Sequence, residues 1–177
     1  ISRLRYRANA TTSSWTGGSW PNVRIDMATA TTDYATPSAT FAANTGPDLT
    51  TVLTGPVTVQ PGTGNGAGVP GPWYIDIPLT TPFLYDPTSG NDLVVDIMLD
   101  GTGWTGVSTS ADHVSASGNP PSRVSRVYST AGATATTGTV GANYGAVCEF
   151  GYSIANGLYA NFTSDVTGGA SPLAVHF

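Results

Sequence analysis

Apolar and polar residues alternate along several short stretches of the chain, and residues 22–28 (NVRIDMA) show the pattern clearly. Val23, Ile25 and Met27 fall on one side, whereas Arg24 and Asp26 fall on the other. Side chains of a strand point alternately to opposite faces of a sheet, so this spacing predicts a half-buried strand. Alternation or short apolar runs predict further strands at 3–8, 50–59, 73–78, 92–99, 123–129 and 145–154, and near the C-terminus at 158–163 and 173–177.

The segments between these strands are rich in Gly, Pro, Asn and Asp, and none shows the 3.6-residue period of a helix. Short strands separated by such turns predict an all-β fold, an antiparallel β-sandwich with a jelly-roll-like topology. We expect residues 1–156 to form this module and residues 157–177 to be a C-terminal strand extension. Two Gly-rich segments, 62–72 and 130–143, are predicted to be long loops.

Charged residues make up only 10% of the chain, the net charge is −5, and all six cations are Arg. Nucleic acid is therefore not an expected partner, because phosphate binding requires clustered basic residues. Arg3, Arg5 and Arg7 share one face of the first predicted strand, where we expect them to meet Asp residues of neighbouring strands. The apolar runs are too short for a membrane-spanning helix.

The chain begins with Ile1 and contains a single cysteine, Cys148, which excludes an internal disulfide. Two Asn-x-Thr triplets, at Asn9 and Asn161, and the Thr/Ser/Gly-rich composition favour a secreted or cell-surface protein from which a signal peptide has been removed. Cys148 is interpreted as a small core residue.

Residues that would carry catalysis are scarce. His113 follows Asp112 directly, and adjacent residues on a loop point apart, so a Ser-His-Asp triad is not expected. Glu149 is the only Glu, and the strand Asp residues alternate with apolar neighbours as solvent-facing residues do, which disfavours a pair of glycosidase carboxylates. The sequence therefore predicts a protein that is not an enzyme.

Two binding sites are candidates. Asp86, Asn91 and Asp92 surround a turn (YDPTSGNDL) and carry the oxygen ligands that calcium prefers, although Asp-Pro and Ser-Gly explain the same residues as a turn without an ion. Calcium is the only cofactor that the sequence suggests.

Trp15, Trp20 and Trp104 lie in Gly/Ser/Thr-rich surroundings and would suit a platform for sugar rings, with burial at the ends of the sandwich as the alternative.

The segment LYANFTSDVTGGASPLAVHF resembles the opening of a PKD domain, an Ig-like β-sandwich found in bacterial secreted proteins. The matching features are Tyr159 and Phe162, Gly168-Gly169, and Ser171-Pro172-Leu173 leading into Val175 and Phe177. The Trp-x-Phe-Gly-Asp-type core of that family has no counterpart here. The resemblance implies a secreted protein in which a sandwich module precedes a PKD-like segment.

These observations predict a non-catalytic structural or adhesion module of an extracellular protein. Alternating apolar residues near the C-terminus would dock on the module or on a neighbouring copy by strand addition, giving a homo-oligomer, a ring or a filament. The residues expected to carry this assembly are Leu158, Phe162, Leu173, Val175 and Phe177. The alternative is a carbohydrate-binding module with a polysaccharide as its partner.

Overall fold

The computed structural model describes residues 1–99, 103–114 and 123–154, and over these residues the fold is all-β. They contain thirteen strands, two short 3-10 helices at Phe41–Asn44 and Pro87–Ser89, and no α-helix. The longer strands are β1 (Arg3–Arg7), β3 (Gly17–Thr29), β4 (Thr50–Val59), β6 (Trp73–Pro78), β7 (Leu93–Leu99) and β13 (Cys148–Gly151). The shorter strands are β2 (Ser14–Trp15), β5 (Gly62–Thr63), β8 (Thr105–Val107), β9 (His113–Val114), β10 (Arg126–Tyr128), β11 (Thr139–Gly141) and β12 (Gly145–Ala146).

Seven strands form one antiparallel sheet in the order β13-β1-β6-β4-β3-β7, and β8 pairs with β3 beyond the end of β7. The long strand β3 pairs with three other strands of this sheet. It pairs with β4 along one side and with β7 and then β8 along the other. Three small antiparallel pairs, β2-β5, β9-β12 and β10-β11, complete the described structure.

The large sheet curls, because residues of β7 and β13, its two outermost strands, line the same groove together with the β10 and β12 segments. The expected antiparallel β-sandwich type of fold is thereby confirmed. All described ladders are antiparallel, and β3 and β4 are the only strands adjacent in both chain order and the main sheet order among the described residues.

The core lies on the concave face of the large sheet. Val23, Ile25 and Met27 of β3, which the alternation placed on one side, are all buried. They pack in one cluster with Leu4, Val52, Leu53, Val57, Ile77 and Phe83. The outward positions of β3 include Arg24 and Asp26. Asp26 is only 4% exposed, so the expectation that this strand Asp faces solvent is wrong, and the Arg24 guanidinium pairs with its carboxylate.

Three arginines of β1 line the outer face, and each meets an acidic partner. Arg3 pairs with Asp76 of β6, and the Nη1 atom of Arg5 donates to Glu149 of β13 at 2.7 Å. Nε of Arg7 donates to the carboxylate of Asp112 at 2.6 Å. The expected charged outer face of the first strand is confirmed. The Arg3 guanidinium also holds the pKa of Asp76 below its usual value through their hydrogen bond.

The predicted loop at residues 62–72 contains the short strand β5, and the predicted loop at 130–143 contains β11. Both contribute only two or three residues to ladders, which explains why their Gly-rich sequences show no alternation. The strands predicted at 158–163 and 173–177 lie outside the described residues. In the part of the chain that the structure describes, no helix has the length and apolar character needed to cross a membrane.

Candidate functional site

A groove of about 830 Å³ runs beside β7, the last strand of the large sheet. β7 pairs with β3 along one edge, and within the described residues no strand pairs with its other edge. Seven residues at about 3.3 Å each give this free edge a length of about 23 Å. The groove therefore exposes a row of backbone donors and acceptors next to a shaped cavity.

One wall of the groove is formed by Leu93–Ile97 and the other by β10 and the β12 segment. Val124, Val127 and Val147 contribute apolar surface to the second wall. A third side comes from the long connection between β3 and β4, including Tyr34 and Phe41. The groove is thus largely apolar.

The loop carrying Tyr34 is held in position by side-chain hydrogen bonds. Asn44 is buried, its amide donates to the carbonyls of Ser38 and Thr40, and its Oδ1 accepts from the Ser38 N–H at 2.7 Å. Ser125, next to β10, donates to the carbonyl of Tyr34. These contacts tie the third side of the groove to the second wall.

Strand β7 carries an exposed apolar side chain and an acidic side chain that lies opposite another carboxylate. The Ile97 side chain is 40% exposed although it sits on the core side of β7. Asp96 lies directly opposite the buried Asp26 of β3. Burial and the nearby Asp26 carboxylate raise the pKa of Asp96, whereas Arg24 lowers it. Arg24 holds Asp26 with two contacts, Nε to Oδ1 at 2.9 Å and Nη2 to Oδ2 at 2.8 Å.

A second, smaller cavity of about 200 Å³ lies on the concave side of the sheet. Its lining is apolar or aromatic and includes Trp20, Val23, Val57, Ile77 and Leu99. The pocket opens to the surface, so a longer apolar side chain on its wall would extend over the other lining residues and be partly buried there.

The three residues proposed to bind calcium each take part in hydrogen bonds within the fold. Asp86 begins the 3-10 helix Pro87–Ser89, and hydrogen bonds from the Thr88 N–H and hydroxyl to its Oδ1 lower its pKa. The Asp92 carboxylate accepts a hydrogen bond from the Tyr34 N–H at 2.7 Å, so it helps to hold the loop that forms the third side of the groove. The Asn91 carbonyl accepts from the Tyr85 hydroxyl at 2.5 Å. No group of three or more His, Cys, Asp or Glu side chains is placed to share a metal ion anywhere in the described ranges.

The three tryptophans proposed for sugar binding lie in or against one hydrophobic cluster and differ in exposure. Trp15 is buried, donates from Nε1 to the Gln60 carbonyl at 2.8 Å and meets Tyr74 edge-on. Trp20 and Trp104 lie together with ring centroids 4.2 Å apart and planes tilted by 38°. Both rings pack against the cluster that contains Trp15, whereas Trp15 itself is buried and offers no exposed ring face. The sugar platform stays a prediction.

The two side chains considered for catalysis or redox chemistry are both in structural positions. Cys148 packs against the core, and burial raises the pKa of its thiol, which makes the reactive thiolate less available. His113 stacks on Tyr144 with centroids 5.0 Å apart. The proposed assembly residues Leu158, Phe162, Leu173, Val175 and Phe177 lie outside the described residues.

The residues that form the groove were not identified from the sequence as a site. The strands at 92–99 and 123–129 were predicted, but alternation within a strand does not show which strand ends a sheet. Comparison with models of known protein families, with curated proteins and with solved structures finds no match to this chain. The PKD resemblance therefore stays an expectation from sequence.

Proposed function

We propose that this chain is a non-catalytic structural module of a secreted or cell-surface protein, and that it associates by strand addition at the free edge of β7. The observation that carries the proposal is a seven-residue edge that no strand of residues 1–99, 103–114 and 123–154 pairs with, lying beside an apolar groove. Exposed edges of this kind are templates for pairing with another chain, and soluble proteins usually shorten, charge or cover them. β7 is long, and its Ile97, on the core side of the sheet, is apolar and 40% exposed.

The proposed occupant is the segment 173–177 of a second copy. Its sequence alternates, with Leu173, Val175 and Phe177 separated by Ala174 and His176. Paired with β7, one face of such a strand would meet the valines of the opposite wall. Burying each of the three apolar side chains would contribute about 1.5–3 kcal/mol, and ordering the backbone offsets about 1–2 kcal/mol per residue. Backbone hydrogen bonds to the edge and a preformed groove are therefore needed for a net gain.

Association tests this proposal directly. Light scattering over a hundredfold range of protein concentration, with electron microscopy of negatively stained material, should show oligomers of the unaltered chain. Ile97→Lys should give monomers, because a charge on the edge strand opposes strand pairing. Leu84→Lys is the matched control, since Leu84 is 74% exposed and does not line the groove.

Deletion of the residues after Asn156 should also give monomers with an unchanged β-type circular dichroism spectrum. If the unaltered chain is monomeric throughout, or if Ile97→Lys and Leu84→Lys associate equally, strand addition at β7 is wrong. If association persists after the deletion but is lost in Ile97→Lys, the β7 edge remains the site of pairing. A segment other than 173–177 must then be its occupant.

A further inference from the structure

Four side chains from three separate segments form a stacked row over the short strand pairs β10-β11 and β9-β12. The Arg126 guanidinium lies over the Tyr144 ring, with Cζ 3.8 Å from the ring centroid, and over the Tyr128 ring at 4.5 Å. His113 also stacks on Tyr144, with an angle of 26° between the planes. We call Tyr128, Arg126, Tyr144 and His113 the cationic-aromatic row.

The backbone holds Arg126 in this position. It pairs with Gly141 across the β10-β11 ladder, and a Cβ at Gly141 would lie only 3.3 Å from Cγ of Arg126. The missing side chain lets the arginine stem cross the partner strand. The preceding residue, Ser125, accepts from the Asn143 N–H at 2.9 Å, and Asn143 has a φ of 55° in the turn that presents Tyr144.

The interactions of Arg126 differ from those of the arginines on the large sheet, because the guanidinium contacts aromatic rings instead of a carboxylate. Arg3, Arg5, Arg7 and Arg24 each pair with a carboxylate. By contrast, Arg126 has no carboxylate within ion-pair distance among the described residues, although the chain has more acidic than basic groups. Asp112, next to His113 in sequence, is already held by Arg7 at 2.6 Å.

The groove that passes Arg126 also carries Asp33, Asp92 and Asp96. Two of these carboxylates accept backbone hydrogen bonds, Asp33 from the Ala35 N–H and Asp92 from the Tyr34 N–H. They belong to the walls formed by the loop and by β7, whereas the row extends over the β10-β11 hairpin and the β9-β12 pair.

A guanidinium whose face lies on aromatic rings keeps its N–H donors in the plane, where they match two oxygens of a carboxylate or sulfate. The exposed Tyr128 ring adds a flat apolar surface of the kind on which sugar rings stack. We propose that the cationic-aromatic row binds the anionic group of an acidic polysaccharide, with Arg126 as the anion-binding residue. This site is separate from the three tryptophans considered above and does not depend on association through β7.

Binding is measured with the full chain and three polymers of known chemistry: polygalacturonate, which carries carboxylates, dextran sulfate, and neutral dextran. At least one anionic polymer should bind, neutral dextran should not, and affinity should fall with added salt. At about 0.15 M ionic strength the Debye length is about 8 Å, so the local row rather than the net charge decides the outcome. Binding of only one anionic polymer identifies the group as carboxylate or sulfate.

Arg126→Gln should weaken binding by about tenfold or more through loss of a two-point charged contact. Arg3→Gln is the matched control, because it makes the same change in net charge on the outer sheet face and should alter affinity by less than about twofold. Circular dichroism checks that both variants fold. If Arg126→Gln does not fold, Arg126→Lys and Tyr128→Ser replace it, and each should weaken binding.

Absence of binding to both anionic polymers overturns the proposal. Equal weakening by Arg126→Gln and Arg3→Gln also overturns it, since only total charge would then matter. Neutral dextran binding as tightly as the anionic polymers would have the same consequence.

Discussion

The 200 Å³ cavity on the concave face allows the packing description to be tested with one methylene group. Val57 of β4 lines this cavity, whereas Val52 of the same strand is fully buried and does not line it. Both are valines on one strand with inward side chains. The substitution of valine by isoleucine at either position adds the same atoms to different surroundings.

At Val57 the new methylene extends into an open apolar pocket, where its partial burial should stabilise the fold by up to about 0.8 kcal/mol. Val52 is fully buried and lines neither pocket, so the same change there should cost about 1–3 kcal/mol through displaced side chains. For a domain of this size about 1 kcal/mol corresponds to about 2–4 °C. Val57→Ile should therefore melt up to about 3 °C higher than the unaltered chain and Val52→Ile about 2–12 °C lower.

Urea denaturation followed by tryptophan fluorescence and circular dichroism measures both variants under one condition. The slope of unfolding free energy against urea should stay unchanged, so that a shifted midpoint reports stability alone. Equal destabilisation by both variants would show that the cavity does not accept a methylene, and the packing described for the concave face would then be incorrect.

Two further predictions concern the carboxylates. Asp96→Asn should raise the unfolding midpoint at neutral pH, because burial and Asp26 raise the pKa of Asp96 and the ionised form therefore disfavours folding. The folded state takes up this proton more readily than the unfolded state, so the difference from the unaltered chain should close as the pH falls through the raised pKa toward the ordinary carboxyl value; a constant difference would contradict the assignment. If the proposed residues bind calcium, a chelator should lower the melting temperature of the unaltered chain and leave that of Asp92→Asn unaffected. Identical melting of the unaltered chain with and without chelator would refute calcium binding.

The sequence identified the major strands because their inward positions obey a two-residue period. The beginning of β3 shows where this reasoning stops. The alternation starts at Val23, but the strand begins at Gly17. Gly18 permits the close approach of β8: a Cβ there would lie 1.9 Å from the Thr105 carbonyl oxygen. The requirement for glycine at position 18 comes from β8, which is distant in sequence, so no local pattern indicates it. Only the folded structure shows its role.

The same limit applies to the candidate sites: positions within one strand follow from the sequence, whereas contacts between distant segments do not. Arg126 and Tyr128 are two residues apart on a predicted strand, and their shared face could be inferred from sequence. Tyr144 and His113 join them only because β12 pairs with β9 and the turn after β11 returns to β10. Similarly, the apolar residues of β7 were expected in a strand, but the free edge depends on the order of the whole sheet. Long-range pairing is the information that the period of a single segment lacks.

Strand β10 connects the two proposals. Val127 and Arg126 both line the groove beside β7, whereas Tyr128 does not. A strand added to β7 would therefore lie in the same groove as Arg126, the residue proposed to hold a polyanion. The two binding events would then be linked, and any change in affinity would be reciprocal. Ile97→Lys changes the β7 wall of this groove and Arg126→Gln changes its β10 wall. An effect of Ile97→Lys on polyanion affinity, or of Arg126→Gln on association, would therefore measure the coupling between the two walls.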